Sequence, residues 1–259
     1  MNSTLQVLFS PAEFAGLPGR DLTRTTCVVF DVLRATSSMT TALVNGADAV
    51  YPVAEIQEAL AFRKAHPRAL LAGERNGLRI RAEQAQGVDF DLGNSPREFT
   101  RERVAGRTIA MTTTNGTRAL RACRHAKAVL ASSFLNLGAT VDWIKIRSTE
   151  NLLLVCGGTF EEASFEDTLA AGAMCDLLWT EFERPSDSAQ MARLLYQCSA
   201  SDLMRAMQHA RNGRRLLENP ELREDVAFCI RVNAMNVAAV LGKNGAVAGE
   251  KTGPGGACS

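Results

Sequence analysis

The sequence contains few of the residues on which the common metal and nucleophile sites depend. Its 259 residues include only three histidines, His66, His125 and His209, so a histidine-rich metal centre is not expected. The seven cysteines form no C-x-x-C pair, and none is followed by an arginine at C-x5-R spacing. A zinc knuckle and the loop of cysteine-dependent phosphatases are therefore excluded. The G-x-S-x-G elbow and the Walker loop are absent as well.

Long apolar runs and a surplus of charge are also missing. No stretch approaches the roughly 20 apolar residues of a membrane span, and residues 1–20 lack the regions of a signal peptide, so we expect a cytoplasmic chain with no membrane partner. The 29 basic residues balance 28 acidic ones, which argues against a nucleic-acid partner. Most of the basic residues are arginine. This excess reflects either codon bias or guanidinium clamps for phosphate, carboxylate or sulfonate groups.

Short apolar strands alternate with helical patterns through residues 1–156, which is the usual sign of an α/β protein. The predicted strands are Leu5–Phe9, Cys27–Val32, Ala49–Val53, Ala69–Ala72, Thr108–Met111, Ala128–Ala131 and Leu152–Cys156. The predicted helices are Ser37–Asn45, Ala54–His66, Pro96–Val104, Gly116–Cys123 and Leu135–Arg147. We therefore expect a three-layer α/β/α fold with a largely parallel or mixed sheet, in one domain or two intimate lobes.

Residues 157–245 have a different pattern, with helical periodicity and little strand signal. The predicted helices are Phe165–Phe182, Ser186–Cys198, Ser201–Gln208 and Pro220–Leu241, followed by one strand at Ala246–Ala248. This half is predicted to be helix-rich, and its apolar helices offer a surface for a homodimer. Residues 250–259 are rich in glycine and are predicted to form a frayed tail.

Polar residues gather where the predicted strands end, which is where open α/β sheets place their ligand sites. Asp31, Arg34, Thr36 and Ser37 follow the strand that begins at Cys27. Thr36 or Ser37 could simply cap the next helix. That structural role does not account for an acid and a base at the exit of an apolar strand.

A second polar segment follows the strand Ala69–Ala72. Glu74 and Arg75 come first, and a long loop then leads through Asp91 to Asn94 and Ser95, directly before a proline. The acid and base could form only a surface ion pair. The Asn-Ser-Pro sequence predicts a helix start, whose free amides attract anions.

Two further strand ends carry groups suited to phosphate and metal ions. The run Thr112-Thr113-Thr114-Asn115-Gly116-Thr117 places hydroxyls and an amide at a helix start, and predicts an anion site more than a simple cap. Near Cys156-Gly157-Gly158-Thr159, the acids Glu166 and Asp167 open a helix. They suit the helix dipole, and Asp167 equally suits Mg²⁺.

Taken in order, these segments resemble the 2-phosphosulfolactate phosphatase (ComB) family. The residues that carry the resemblance are Asp31-Val32-Leu33-Arg34-Ala35-Thr36-Ser37, Gly73-Glu74-Arg75, Phe90-Asp91-Leu92-Gly93-Asn94-Ser95-Pro96, Thr112-Thr113-Thr114-Asn115-Gly116-Thr117, and Cys156-Gly157-Gly158-Thr159 with Glu166-Asp167. The resemblance implies a Mg²⁺-dependent phosphatase that converts (2R)-2-phospho-3-sulfolactate to 3-sulfolactate and phosphate. It implies a small, strongly anionic substrate.

Under this resemblance Mg²⁺ joins the phosphate to carboxylates drawn from Asp31, Glu74 and Asp167. Arg34 and the loop 112–117 stabilise the transferring phosphoryl group. The attacking group is either Asp31 or a water held by the metal, and the absence of a D-x-D motif favours water. Asp91 or Glu166 would protonate the leaving oxygen. The predicted substrate-binding residues are Arg34, Thr36, Ser37, Arg75, Asn94, Ser95, Thr112, Thr113, Thr114, Asn115, Gly116 and Thr117.

Two alternatives use the same loops. One is a phosphatase of this family acting on another small phosphorylated acid. The other is a non-catalytic protein that binds phosphate or sulfonate.

Overall fold

The computed structural model describes residues 3–250, and within them eleven strands form one sheet. The segments 25–30, 128–132 and 151–156 are mostly apolar and are buried at all but their first residue, as expected for strands that are covered on both faces. The strands are β1 (Thr4–Leu8), β2 (Thr25–Phe30), β3 (Ala49–Pro52), β4 (Leu70–Arg75), β5 (Leu78–Arg79), β6 (Thr108–Thr112), β7 (Ala128–Ser132), β8 (Asn151–Cys156), β9 (Arg184–Pro185), β10 (Ala238–Leu241) and β11 (Val247–Glu250). All seven strands predicted within residues 1–156 are present.

The helices of the first half also follow the predictions closely. The helices are α1 (Pro11–Phe14), α2 (Ala35–Val44), α3 (Ile56–Ala65), α4 (Arg101–Val104), α5 (Gly116–Ala122), α6 (Leu137–Ile146), α7 (Phe165–Leu178), α8 (Asp187–Ser199), α9 (Leu203–His209), α10 (Arg211–Glu218) and α11 (Arg223–Cys229). The helix predicted over Pro96–Val104 is divided into a 3₁₀ turn, Pro96–Glu98, and α4.

The sheet is mixed, with the order β5-β4-β6-β3-β11-β10-β7-β2-β8-β1-β9. One parallel group contains β7, β2, β8, β1 and β9, and a second contains β4, β6 and β3. The antiparallel pair β10–β11 joins them, and each of its strands is also antiparallel to its outer neighbour. Because three successive antiparallel pairings separate β3 from β7, the two parallel groups run in opposite directions.

Helices cover both faces of the sheet, which gives the expected three layers. Successive strand residues point to opposite faces, and β2 shows the result. Val28 packs in one buried core with Met174 of α7, whereas Val29 packs in the other with Met39 of α2. All four side chains are fully buried, so apolar surface is removed from water on both sides of the sheet.

The prediction of one helix over Pro220–Leu241 is wrong beyond Cys229, where α11 ends. The following residues turn: Asn233 adopts a positive φ of 56° and donates its N–H to Phe134 O at 2.9 Å. The apolar run then pairs as β10 with β7. Short apolar runs fit a helix or a buried strand equally well, and here the sheet decides between them.

The C-terminal half also contributes strands, because β10 and β11 lie in the middle of the sheet. The strand predicted at Ala246–Ala248 is present as β11 and extends to Glu250, the first residue of the predicted frayed tail. The rest of that tail, residues 251–259, lies outside the described residues. No helix within residues 3–250 is both long and apolar enough to cross a bilayer.

Candidate active site

The carboxyl ends of the two parallel groups meet at one cavity of about 60 Å³. In a flat sheet these ends would lie at opposite edges, because the groups run in opposite directions. The sheet twists and curves instead, as sheets of many strands do, and the loops after β6 and β8 touch. Asn115 Nδ2 donates to Gly158 O at 2.8 Å. The cavity is lined by Asp31, Leu33, Arg34, Glu74, Asn76, Gly77, Asn94, Thr114, Asn115, Gly158, Thr159, Phe160, Asn212 and Arg215.

Asp31, the first residue after β2, is held between the starts of two helices. Its Oδ1 accepts the N–H of Ala35 in α2 at 3.1 Å. Gly116 at the start of α5 lies against the other oxygen, and a Cβ there would stand 2.6 Å from Oδ2. Glycine is required at position 116 because any side chain would displace the carboxylate. The carboxylate is only 9% exposed but reaches the cavity.

Thr36 and Ser37, predicted to bind substrate, instead stabilise the turn that carries Asp31. Thr36 Oγ1 donates to Asp31 O at 2.9 Å, and Ser37 Oγ donates to Val32 O at 2.8 Å. Both side chains are fully buried, and neither lines the cavity. Their hydroxyls satisfy backbone groups that would otherwise be buried without partners.

Glu74 also lines the cavity, at the start of a tight hairpin. Its Oε1 accepts the N–H and hydroxyl of Thr114 at 2.9 and 2.8 Å, and its Oε2 accepts the N–H of Gly77 at 2.7 Å. Asn76 and Gly77 both have positive φ, 54° and 81°, and connect β4 to β5. Such two-residue hairpins favour Asn-Gly, so this turn was a readable signal that the sequence analysis missed.

The Thr-rich loop after β6 is largely occupied by its own hydrogen bonds. Thr117 Oγ1 donates to Thr113 O at 3.1 Å, and both residues are buried. Only Thr114 and Asn115 of this loop line the cavity. The loop therefore orients Glu74 and contributes two side chains, whereas the predicted cradle used all six residues.

Glu166 and Asp167 open α7 beside Asp31 and are almost completely buried. Asp167 Oδ1 accepts the N–H of Val32 at 2.8 Å, and its Oδ2 accepts that of Gly158 at 3.1 Å. Asp167 thus ties the turn after β2 to the loop after β8. Neither acid is among the cavity-lining residues.

The four acids act on one another electrically. Burial raises the pKa of Asp31 to about 6, and the charges of Glu74 and Glu166 add to this effect. Burial also raises the pKa of Asp167, with further increases from the charges of Asp31 and Glu166. The pKa of Glu166 is raised too, mainly by burial. A cluster of this kind gains stability from a proton or a cation that reduces the repulsion.

Three asparagines of the cavity carry buried side-chain oxygens with no hydrogen-bond donor within the described residues: Asn94, Asn115 and Asn212. The amide groups of two are fixed in orientation, because Asn115 Nδ2 donates to Gly158 O and Asn212 Nδ2 donates to Leu33 O at 2.7 Å. Their oxygens are therefore free acceptors. Buried acceptors of this kind call for a bound donor or cation.

This donor set fits Mg²⁺, which prefers carboxylate and amide oxygens and keeps several waters. Asp31, Glu74 and the free asparagine oxygens line the same cavity. Within residues 3–250 no three carboxylate, imidazole or thiolate side chains form a metal cluster by themselves. A cation here would draw on amide oxygens and water as well as on Asp31 and Glu74. Asp167, the third predicted ligand, already binds two backbone amides.

Arg34 lines the cavity but is bound within the fold. Its Nη1 donates to Asp225 Oδ2 at 2.7 Å and its Nη2 to Gly77 O at 2.7 Å. Asp225 is completely buried and also accepts Ser95 Oγ at 2.6 Å and Arg97 Nε at 2.8 Å. Ser95 is therefore part of this network, and it does not line the cavity. Asn94, its neighbour, does.

Two further predicted residues, Asp91 and Arg75, are not among the residues that line the cavity. Asp91 accepts hydrogen bonds from the Arg63 guanidinium and from Leu71 N–H, so it supports the strand β4 and is not placed to protonate a leaving group. Arg75 donates to the carbonyl of the preceding residue at 2.7 Å and to Thr112 Oγ1 at 3.1 Å. Both residues have structural partners in the fold that account for their presence.

Asn212, Arg215 and Asp225 belong to the site or its hydrogen-bond network and were not predicted. They lie on α10 and α11. The sequence between residues 209 and 219 gave no helix in our prediction, and Asp225 was placed within a longer helix that breaks. Nothing in the local pattern connects these positions to Asp31 or Glu74. Only the packing of α10 and α11 against the cavity does so.

Fold and site together define an α/β protein with a cavity of buried acids, amides and guanidinium groups at the carboxyl ends of its strands, the usual position of ligand sites in such sheets. The family model of 2-phosphosulpholactate phosphatase matches residues 14–244. The chain belongs to this family.

Named relatives support the same membership. A probable 2-phosphosulfolactate phosphatase of Caldanaerobacter subterraneus subsp. tengcongensis is 41% identical over 232 residues, which is 88% of this chain and 92% of the relative. Proteins with the same name are 42% identical in Thermotoga petrophila, over 79% of this chain and 83% of the relative, and 38% identical in Gloeobacter violaceus, over 81% and 85%. The similarity thus covers the cavity and both halves.

Proposed function

We propose that this chain is a Mg²⁺-dependent phosphatase that hydrolyses (2R)-2-phospho-3-sulfolactate to 3-sulfolactate and phosphate. One observation carries the proposal: the cavity of a member of this family combines Asp31 and Glu74 with three asparagine oxygens that have no donor. Mg²⁺ would supply positive charge to the phosphate oxygens and to the developing transition state. The small volume suits a substrate of a few carbon atoms.

Asp31 is our candidate for the base that removes a proton from the attacking water. In the absence of a metal ion its pKa is about 6, mainly because of burial, so the carboxylate is ionised at neutral pH and more basic than an ordinary aspartate. Its Oδ1 is fixed by the N–H of Ala35, and Gly116 lets the start of α5 stand close to Oδ2. The water oxygen then forms a bond to phosphorus as the bond to the sulfolactate oxygen breaks.

Glu166 is our candidate for the acid that protonates that leaving oxygen. Burial raises its pKa, and it lies within electrostatic range of Asp31 and Asp167. A raised pKa favours the protonated form of a carboxyl group, which is the form that donates a proton. This choice replaces Asp91, which is bound to Arg63 and the backbone of β4.

The direct test is phosphate release from 2-phospho-3-sulfolactate by the purified chain. Rates with Mg²⁺ should be high and rates in excess chelator near zero, with recovery on adding Mg²⁺. Asp31→Asn should abolish release with the fold intact. Asp48→Asn, which changes an exposed acid at the amino end of β3 away from the cavity, should keep it. Turnover near that of the wild type in Asp31→Asn, or in chelator, would contradict the proposal.

The same assay separates the alternatives. Release from a different small phosphorylated acid alone would indicate another substrate, and tight phosphate or sulfonate binding without release would indicate a binding protein. We further propose a cytoplasmic location, and the homodimer remains a prediction that sedimentation would test.

A further inference from the structure

The cavity is lined by charged side chains of both signs, and Glu74 borders the same turn as the two arginines through its bond with Gly77 N–H. Of the fourteen lining residues, four are charged: Asp31, Glu74, Arg34 and Arg215. The proposed phosphate and cation site uses the acids and the asparagine oxygens. The guanidinium groups lie around the Gly77 turn, since a Cβ on that glycine would stand 3.1 Å from Arg215 Nη2 and 3.9 Å from Arg34 Nη2. The cavity can therefore hold a ligand with two different ends.

The Arg34 guanidinium has little capacity left for such a ligand. Only 3% of the residue is exposed, one Nη donates to Asp225 and the other to Gly77 O. Arg211, one turn before Arg215 on α10, is bound as well, to Glu162 Oε2 at 2.5 Å and to Thr159 O at 2.8 Å. Both guanidinium groups are thus engaged within the fold, and Arg211 does not line the cavity.

Arg215 differs from both. It is exposed, it lines the cavity, and its side chain makes no ion pair or hydrogen bond with any other residue in the described range 3–250. It lies three positions after Asn212 on α10, so the two side chains share one face of the helix. That face puts a free acceptor, the Asn212 oxygen, beside a free fork of donors. A planar guanidinium in this position matches carboxylate or sulfonate oxygens two at a time.

We propose that Arg215 binds the acidic group of the substrate other than the phosphate, and so sets the requirement for a second acidic group. This inference rests on the proposed phosphatase function. Arg215 is a specificity-determining residue and takes no part in bond breaking. Carboxylate and sulfonate share the chemistry that Arg215 recognises, and the choice between them is an outcome of the test.

The test compares four esters as substrates for the intact chain with Mg²⁺: 2-phospho-3-sulfolactate, 2-phospholactate, the phosphate ester of 2-hydroxyethanesulfonate, and isopropyl phosphate. Arg215→Gln should lower kcat/KM by about 10- to 100-fold on the esters whose acidic group meets Arg215, mainly through KM. The loss on isopropyl phosphate should be far smaller. The comparison of the two esters with a single further acidic group identifies the group. A larger loss on 2-phospholactate indicates the carboxylate, and a larger loss on the ester of 2-hydroxyethanesulfonate indicates the sulfonate. Arg215→Lys keeps the charge but loses the planar pair of donors, so its kcat/KM should lie between those of the wild type and Arg215→Gln.

The matched control is Arg214→Gln, which changes the neighbouring exposed arginine on the same helix. Arg214 donates to His209 O at 2.7 Å and does not line the cavity, so its loss should alter no ester. Equal losses on all four esters in Arg215→Gln, or no loss on any, would overturn the inference.

A binding measurement separates this inference from the proposed function. Calorimetric titration with 3-sulfolactate needs no turnover, and Arg215→Gln should weaken its affinity by about tenfold or more whereas Arg214→Gln should not. A wild type that releases no phosphate from any ester would count against the phosphatase. An unchanged affinity for 3-sulfolactate in Arg215→Gln would count against Arg215 whatever the outcome of the assay.

Discussion

Asp225 joins the helical half to the cavity, and its charge should be among the largest single contributions to stability. The residue is completely buried on α11. Its two oxygens accept from Arg34 at 2.7 Å, from Ser95 at 2.6 Å and from Arg97 at 2.8 Å. Asp225→Asn keeps the shape of the side chain and one acceptor oxygen. It removes the negative charge and replaces the other oxygen by a donor.

The expected cost follows from the burial of the partner. Arg34 is 3% exposed, so the variant leaves a buried cation without its counter-charge. Breaking a buried ion pair in this way costs about 3 to 5 kcal/mol of unfolding free energy. Glu224, the preceding residue, pairs with the same Arg97 at 2.5 Å, but its side chain is 71% exposed. Loss of such a surface pair costs less than about 1 kcal/mol.

Urea unfolding of Asp225→Asn and Glu224→Gln, followed by circular dichroism, measures both costs under one condition. The midpoint should fall much further in Asp225→Asn, with a similar slope in both variants. The two changes are adjacent on one helix and share Arg97, so helix propensity and local exposure differ little. Equal, small shifts in both variants would refute the reasoning and would mean that Arg34 finds another partner or water.

Two further predictions concern Asp31 and its surroundings. Because the folded protein holds a proton on Asp31 up to about pH 6 and the unfolded chain only to 3.8, wild type without metal should lose stability relative to Asp31→Asn as the pH rises through this window. Above about pH 6 the difference in free energy of unfolding between the two proteins should level off at roughly 3 kcal/mol. Urea unfolding at a series of pH values measures this difference, and a difference that does not grow with pH would contradict the prediction. Gly116→Ala places a methyl group 2.6 Å from Asp31 Oδ2 and should reduce phosphate release at least tenfold. The control is Gly19→Ala, whose new methyl group has nothing within 4 Å and should leave the rate unchanged. Equal rates in the two variants would show that Asp31 can move without loss of activity.

The alternation of strands and helices was readable because it depends on local pattern. Each strand predicted up to residue 156 is present within one to three residues at its ends. The position of β10 and β11 was not readable. Ala238–Leu241 is a short apolar run that fits either structure, and its pairing with β7, more than 100 residues earlier, is decided by long-range contacts. The two parallel groups run in opposite directions because β10 and β11 lie between them, so this feature could not be predicted from the sequence either.

The cavity was partly predictable for a related reason. Asp31, Glu74 and Asn115 follow strands, and strand ends are visible in sequence. Asn212 and Arg215 lie on a helix with no such marker. Residue type was also a poor guide to role, because Arg34 and Arg215 are chemically identical. Arg34 is held within the fold by its ion pair with Asp225, whereas the Arg215 side chain has no partner in the described chain and is free to bind a ligand.

The balance of charge in the cavity explains why a cation and Arg215 belong together. With Arg34 neutralised by Asp225, the lining residues that remain charged are two acids and one guanidinium. A substrate with phosphate, carboxylate and sulfonate groups would be repelled by the acids before Arg215 could hold it. Under the proposed function, a divalent cation on Asp31 and Glu74 would offset the charge of these acids. The net charge of +1 on the whole chain is therefore compatible with an anionic substrate, because the proposed metal ion and Arg215 would together supply the positive charge that the substrate needs.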